Sequence, residues 1–244
     1  SAASDVYKRQ LLGIKQIESL YRKMILIPDK NYSFSIISNG FLISPDIIKL
    51  FKEMKLQHIQ ITLDGLKETH NKIKFTKNEN DTFSRTIKNI DLLASSAPEI
   101  RISIRVNMNK ENSSEFITLY SFILQRYKSN PLIGIYPAFI TSTSSKSSSS
   151  CSLLFNRQEK SEFIQQLYYD RGIVTNLCGY PDSSFTECSI RNKHTFTIDP
   201  EGYLYKCWEI IGDQKYAIAK LDSEGTIQSV SYTHLRAHET AANL

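Results

Sequence analysis

Three of the chain's four cysteines, Cys178, Cys188 and Cys207, are the residues whose spacing most readily suggests metal chemistry. They run Cys178-x9-Cys188-x13-Gly202-x4-Cys207, and the last closes the run IDPEGYLYKC. Apolar–polar alternation on either side of Asp199-Pro200-Glu201-Gly202 reads as a β-hairpin, with the turn chemistry of Pro and Gly between its strands. A hairpin with thiols near both ends, and a third thiol upstream, can converge several sulfurs on one point. Convergent thiolates are what an iron–sulfur cluster or a structural zinc needs. Three unrelated buried cysteines would share the same spacing, since free Cys is among the most buried residue types. Spacing alone leaves both readings open. Cys151, beside a Ser-rich run, reads as a free thiol, and His58 and His194 show no ligand spacing with the cysteines.

A second group of polar residues falls at strand ends: Asn39 in Ser38-Asn39-Gly40, Thr62 and Asp64 in Thr62-Leu63-Asp64-Gly65, and Asn107 in Arg105-Val106-Asn107. Asp64 can bond a ligand, a neighbouring loop or its own turn backbone, and Asn39 and Asn107 share that ambiguity. Thr62 also suits a strand for packing alone, being β-branched. Lys74, twelve residues beyond Thr62, reads equally as a solvated charge.

The elements that must position these residues alternate. Helical spacing of apolar side chains marks residues 14 to 25, followed by a strand over 33 to 38. Ser44-Pro45-Asp46 opens a helix reaching about Lys55, with Ser at the N-cap and Pro in the first turn. Strands at 59 to 63, 100 to 108 and 132 to 140 alternate with helices at 82 to 95 and 113 to 127. A further helix is expected over 156 to 170, after the Ser/Thr run TSTSSKSSSS at 141 to 150, a loop or linker. Strands separated by helices of this length mean β-α-β units, a parallel sheet and an α/β fold. Polar residues at strand C-terminal ends suit a barrel or half-barrel whose site lies on that rim.

The segments around Asn39-Gly40, Thr62-Leu63-Asp64-Gly65-Leu66-Lys67-Glu68-Thr69-His70 and Arg105-Val106-Asn107 resemble, in order and interval, the "TNG", "ISLDGxxExHDxxR" and "RVN" strands of a radical SAM barrel. The pattern Cys188-x13-Gly202-x4-Cys207 resembles the opening of a SPASM domain, the auxiliary-cluster module of many such enzymes, with Cys178 where an upstream ligand would stand. The resemblance implies a partial (β/α) barrel followed by a small cysteine-bearing hairpin domain. It implies S-adenosylmethionine and [4Fe–4S] clusters as cofactors, with Cys178, Cys188 and Cys207 as cluster ligands. Thr62 takes the place of a hydroxyl on the ribose, and Asp64, Asn39 and Asn107 line the cofactor. Lys74 stands where the family has an Arg on the methionyl carboxylate; it keeps the charge and loses the two-pronged fork. His70 falls in the "ExHD" stretch as a packing residue. No residue is assigned as catalytic.

Related enzymes also carry a Cys-x3-Cys-x2-Cys loop and a Gly-Gly-Glu stretch, and neither occurs here. The resemblance implies radical chemistry on a peptide or protein side chain, fed by a reductase or flavodoxin-type electron donor, with this polypeptide inactive alone. Sulfatase maturation is one alternative, although Trp208 and then Glu209 follow Cys207 where that branch has a catalytic Asp. A non-catalytic peptide-binding module with a zinc-stabilised hairpin is the other.

The opening SAASDVYKRQ and the closing SYTHLRAHETAANL resemble adapter-derived strings at the ends of translated metagenomic sequences. Residues 1–10 and 231–244 are therefore set aside, leaving barrel over 11–172 and hairpin domain over 173–230. With 41% hydrophobic and 23% charged residues, the remainder has the composition of a globular domain rather than a disordered chain. A net charge of +5, spread along the chain, argues against nucleic acid, and no apolar run reaches the roughly 18 residues that span a membrane. Cysteines without a secretory signal suit a reducing, cytoplasmic compartment.

Overall fold

The computed structural model describes residues 13–28, 32–75, 80–141, 151–174, 190–191, 195–222 and 226–229. The chain divides into two compact units, Ser1–Gly179 and Tyr180–Leu244.

In the first unit a helix, α1 (Ile14–Met24), precedes four strands: β1 (Phe34–Ser38), β2 (Leu56–Leu63), β3 (Arg101–Met108) and β4 (Ile133–Phe139). The strands lie in the order β1-β2-β3-β4, each pair parallel, as the alternation of elements predicts. Four helices connect or follow them: α2 (Pro45–Glu53), α3 (Lys67–Ile73), α4 (Thr82–Ser96) and α5 (Phe116–Arg126), with α6 (Arg157–Arg171) after β4. Helix starts follow local chemistry. Ser44 accepts from the Ile47 amide with Pro45 behind it, and Asn156 and Glu159 form a reciprocal capping box at α6.

Period-two alternation sorts each strand into two faces. Ile59, Ile61 and Leu63 of β2, Ile102, Ile104, Val106 and Met108 of β3, and Ile133 and Ile135 of β4 form one buried cluster with Phe51, Ile90, Leu93, Leu119 and Ile123 of the helices. The other face is polar. In register, Gln60 stands beside Ser103, and Ser103 beside Gly134; Thr62 stands beside Arg105, and Arg105 beside Tyr136. Parallel strands buried on both sides are ordinarily apolar throughout, so this polar face is kept for something other than packing.

The second unit contains an antiparallel meander, β5 (Thr197–Ile198), β6 (Tyr203–Tyr205), β7 (Ala219–Leu221) and β8 (Ile227–Ser229). Its first pair is the expected hairpin. Asp199 Oδ1 accepts from the amides of Glu201 and Tyr203, both at 2.9 Å, and Gly202 turns the chain at φ +86. A Cβ at Gly202 would stand 3.2 Å from the Leu221 carbonyl, so the turn requires glycine for space as well as for conformation. Beyond the expected hairpin, β7 and β8 extend it into a sheet.

Candidate functional site at the strand C-terminal rim

Three of the five candidate cofactor residues meet at the ends of β2 and β3. Asp64, 4% exposed, accepts from Asn107 Nδ2 at 3.0 Å through Oδ1 and faces Lys74 Nζ at 2.7 Å through Oδ2. The Lys74 contact lacks hydrogen-bond alignment, so its worth is Coulombic; with both groups mostly buried it is weakly screened. Lys74 also donates to the Thr62 carbonyl at 3.4 Å, and the Thr62 residue is 3% exposed. Lys74 is thus not a solvated surface charge, because a carboxylate inside the protein faces it.

The backbone around Asp64 is fixed from three sides. Its amide donates to His70 Nδ1 at 3.2 Å, and its carbonyl accepts from Asn112 Nδ2 at 2.7 Å. The same Asn112 amide reaches the Asn107 carbonyl at 3.0 Å, tying the two strand ends together. Glu115 accepts from the Leu66 amide at 2.6 Å and from the Thr69 hydroxyl at 2.5 Å. Gly65 sits at φ +134, where a Cβ would fall 2.5 Å from Glu115 Oε2. That glycine permits both the turn and the close carboxylate.

His70, 1% exposed, packs edge-on against Phe83. Burial first, and the Lys74 charge second, lower its pKa to about 4 against the opposing pull of Asp64. It is therefore neutral near pH 7, with Nδ1 as the acceptor of the Asp64 amide. Asn39 makes the turn contact among its readings: Oδ1 accepts from the Phe41 amide at 3.1 Å, at the end of β1 and apart from the Asp64 cluster's bonds.

Cys207 lies just past β6 and is half-buried with a free thiol. Cys178 and Cys188 fall outside the described residues, as does His194. Among the described residues no three His, Cys, Asp or Glu side chains are grouped to hold a metal ion. Trp208 is 65% exposed, and Glu209 beside it is exposed as well.

Asn112 and Glu115 escaped the sequence reading because neither lies in a strand-end motif. They reach the rim from the loop and the short 3-10 turn before α5. Gln60 and Tyr136 were visible only as polar residues at every second position of otherwise apolar strands. Gln60 Oε1 accepts from the Tyr136 hydroxyl at 2.7 Å, and His58 Nε2 meets Ser103 Oγ at 2.9 Å, so the polar face is bonded in part.

Comparison with known proteins gives a consistent picture. The profile of the Radical SAM superfamily matches residues 8–123. Over 92 residues the chain is 33% identical to a cysteine-type anaerobic sulfatase-maturating enzyme of Clostridium novyi (strain NT), covering 38% of this chain and 24% of that protein. Over 95 residues it is 26% identical to the Fe-coproporphyrin III synthase of Methanosarcina barkeri (strain Fusaro / DSM 804), covering 39% of this chain and 23% of that one. The matches thus span about a quarter of the curated relatives. The solved structure of native anSMEcpe with bound AdoMet and Cp18Cys peptide superposes with a TM-score of 0.66 at 14% identity, over 96% of this chain and 68% of that chain. At that identity the likeness is one of fold: a parallel α/β sheet with its helices, followed by an antiparallel sheet.

Proposed function

From the premise that this chain carries a radical SAM superfamily domain over residues 8–123, we propose that its parent protein is a radical SAM/SPASM enzyme acting on a peptide or protein side chain. The observation that carries the reading is the joining of Asp64, Lys74 and Asn107 at the rim, within the segment that the family profile matches. Support for a peptide or protein substrate comes from the maturating enzyme among the relatives and from the peptide bound in the similar structure. An electron donor of reductase or flavodoxin type completes the proposal, and a thiolate site suits a reducing cytoplasm.

The superfamily implies S-adenosylmethionine and a [4Fe–4S] cluster, which together supply a carbon-centred radical. The polar face fits the former: Gln60 Nε2 and Arg105 Nε are buried N–H donors without acceptors, and the cofactor brings carboxylate and hydroxyl oxygens. Thr62 would sit by the ribose. Asp64 and Asn107 would present a fixed acceptor–donor pair at the rim, and Lys74 would neutralise Asp64 rather than grip the methionyl end. His70 and Asn112 hold the Asp64 backbone, and Asn39 shapes the β1 turn. The radical-generating cluster has no donor set here, because no Cys-x3-Cys-x2-Cys run is present in the sequence. We therefore expect no cleavage of S-adenosylmethionine by this polypeptide alone. Cys207, with Cys178 and Cys188, would hold an auxiliary cluster from the hairpin side.

Sulfatase maturation is a second reading, favoured by the Clostridium relative. Against it stands the exposed Trp208 directly after Cys207, with Glu209 left as the one carboxylate beside that position. Anaerobic purification with metal and sulfide analysis tests the central proposal. A brown protein with iron and acid-labile sulfide, lost on Cys207→Ser, is the expected result. Stoichiometric zinc in a colourless protein would instead support the peptide-binding module.

A further inference from the structure

The polar face of the β2–β4 sheet holds a cationic group that no hydrogen bond or ion pair among the rim residues accounts for. Arg105 projects from the middle of β3, between Thr62 and Tyr136 in register and two residues short of Asn107. Its residue is half-buried, and its Nε is fully buried with no hydrogen-bond partner. None of the ion pairs among the described residues involves it. The nearest carboxylate along this face, Asp64, is already opposed by Lys74 and bonded by Asn107.

One layer deeper, Gln60 repeats the pattern. Its Oε1 is taken by the Tyr136 hydroxyl at 2.7 Å, which fixes the amide orientation and leaves Nε2 buried without an acceptor. Gln60 and Arg105 lie on adjacent strands, diagonal across one register step, and point to the same face. Two buried N–H donors, one charged, thus lack acceptors on one face of two adjacent strands. Leaving such donors unmet is costly, more so for a charged group, and structures that tolerate this usually reserve the site for a ligand or ordered water. The edge formed by Nε and its neighbouring Nη is one of the two edges of a guanidinium that take a carboxylate side-on.

We infer that Arg105, with Gln60 and Tyr136 beside it, forms a binding site for the carboxylate group of a ligand lying on this face. Arg105 supplies the charge and the paired donors, and Gln60 adds a third donor held in place by the Tyr136 hydroxyl. Arg101, in register with His58 toward the start of β3, is a further cation on the same face. Such a carboxylate has two sources, the methionyl end of S-adenosylmethionine or an acidic side chain of a peptide. The inference rests on the function proposed above only for the choice of the first.

Calorimetric titration of the intact chain distinguishes them. The probes are S-adenosylmethionine against its decarboxylated analogue, and an acetylated, amidated Gly-Glu-Gly against Gly-Gln-Gly. In one of these pairs, Arg105→Gln should weaken the carboxylate probe at least tenfold and leave its uncharged counterpart within twofold. The pair that responds identifies the source. Arg105→Lys, which keeps charge and bulk, should fall between wild type and Arg105→Gln, and it carries the test if the Gln variant fails to fold by circular dichroism. Carboxylate probes that bind wild type and both variants alike, or that bind wild type no better than their uncharged counterparts, would overturn the inference. Arg105-independent binding in both pairs, with S-adenosylmethionine still bound, would do so while leaving the proposed function standing.

Discussion

The polar side chains around Asp64 have partners that set their roles, and His70 shows how much one partner decides. Its sequence context reads as a packing residue. Its neutral form accepts the Asp64 amide, and protonation would abolish that bond beside the Lys74 charge. Because its folded pKa is lowered to about 4, below the ordinary value of 6.5, the unfolded chain binds the proton more readily between these values. The stabilisation is therefore complete above about pH 6.5 and is lost as pH falls toward 4, by at most about 3 kcal/mol. Urea unfolding at pH 7 and pH 4.5 should show wild type losing more stability than His70→Gln over that step. His58, lowered in the same direction by burial and Arg101, acts in both proteins and cancels in the difference. An equal loss in the two proteins would remove His70 from the account. Asp64 and Lys74 teach the same lesson from the opposite side. Thr62, Asp64 and Asn107 were legible as rim residues because strand ends carry local turn signals. Their pairing was not, because Lys74 reaches Asp64 across ten residues of sequence through a helix the periodicity does not show.

That helix, α3, marks where element prediction gave out. Strands β1 to β4 and helices α2, α4 and α5 carry apolar stripes, and the sequence places them, with the more polar α6, within a few residues. The seven residues of α3, KETHNKI, have no such stripe, and Leu66 at the N-cap offers no side-chain bond to the first turn. A helix this short is marginal without tertiary contacts. Its start is held from outside, by Glu115 accepting from the Leu66 amide and the Thr69 hydroxyl. Glu115→Ala should therefore cost about 1.5–3 kcal/mol, the range for hydrogen bonds to a charged group. Hydrogen exchange should quicken in Lys67–Ile73 and leave β2 and β3 protected. Unchanged exchange across α3 would mean that the helix is held by its packing on α4 instead. The early start of β2 at Leu56 has a similar cause: Gln57 and His58 are polar, and the pairing of Leu56 with β1 and of His58 with β1 and β3 makes this stretch strand. A polar alternation on a parallel strand, set against the expected apolar run, was the signal available in the sequence for Gln60 and Arg105.

At the scale of the whole molecule the two candidate sites fall in separate compact units. The oxygen and nitrogen donors of the rim belong to the first compact unit, and Cys207 at the hairpin foot belongs to the second. Ligand binding stabilises the residues it contacts and whatever unfolds with them, so the two sites can be read independently by hydrogen exchange. S-Adenosylmethionine should protect amides at the C-terminal ends of β2 and β3, around Leu63–Gly65 and Asn107. Reconstitution with iron and sulfide under anaerobic conditions should instead protect β5 and β6. Cys207→Ser should abolish the second pattern and leave the first intact, because Cys207 contributes nothing to the Asp64–Lys74–Asn107 cluster. If S-adenosylmethionine left β2 and β3 unprotected, the rim would lose its place as a cofactor site. If Cys207→Ser erased both patterns together, the cysteine hairpin would be a support for the barrel site rather than a cluster site with separate chemistry.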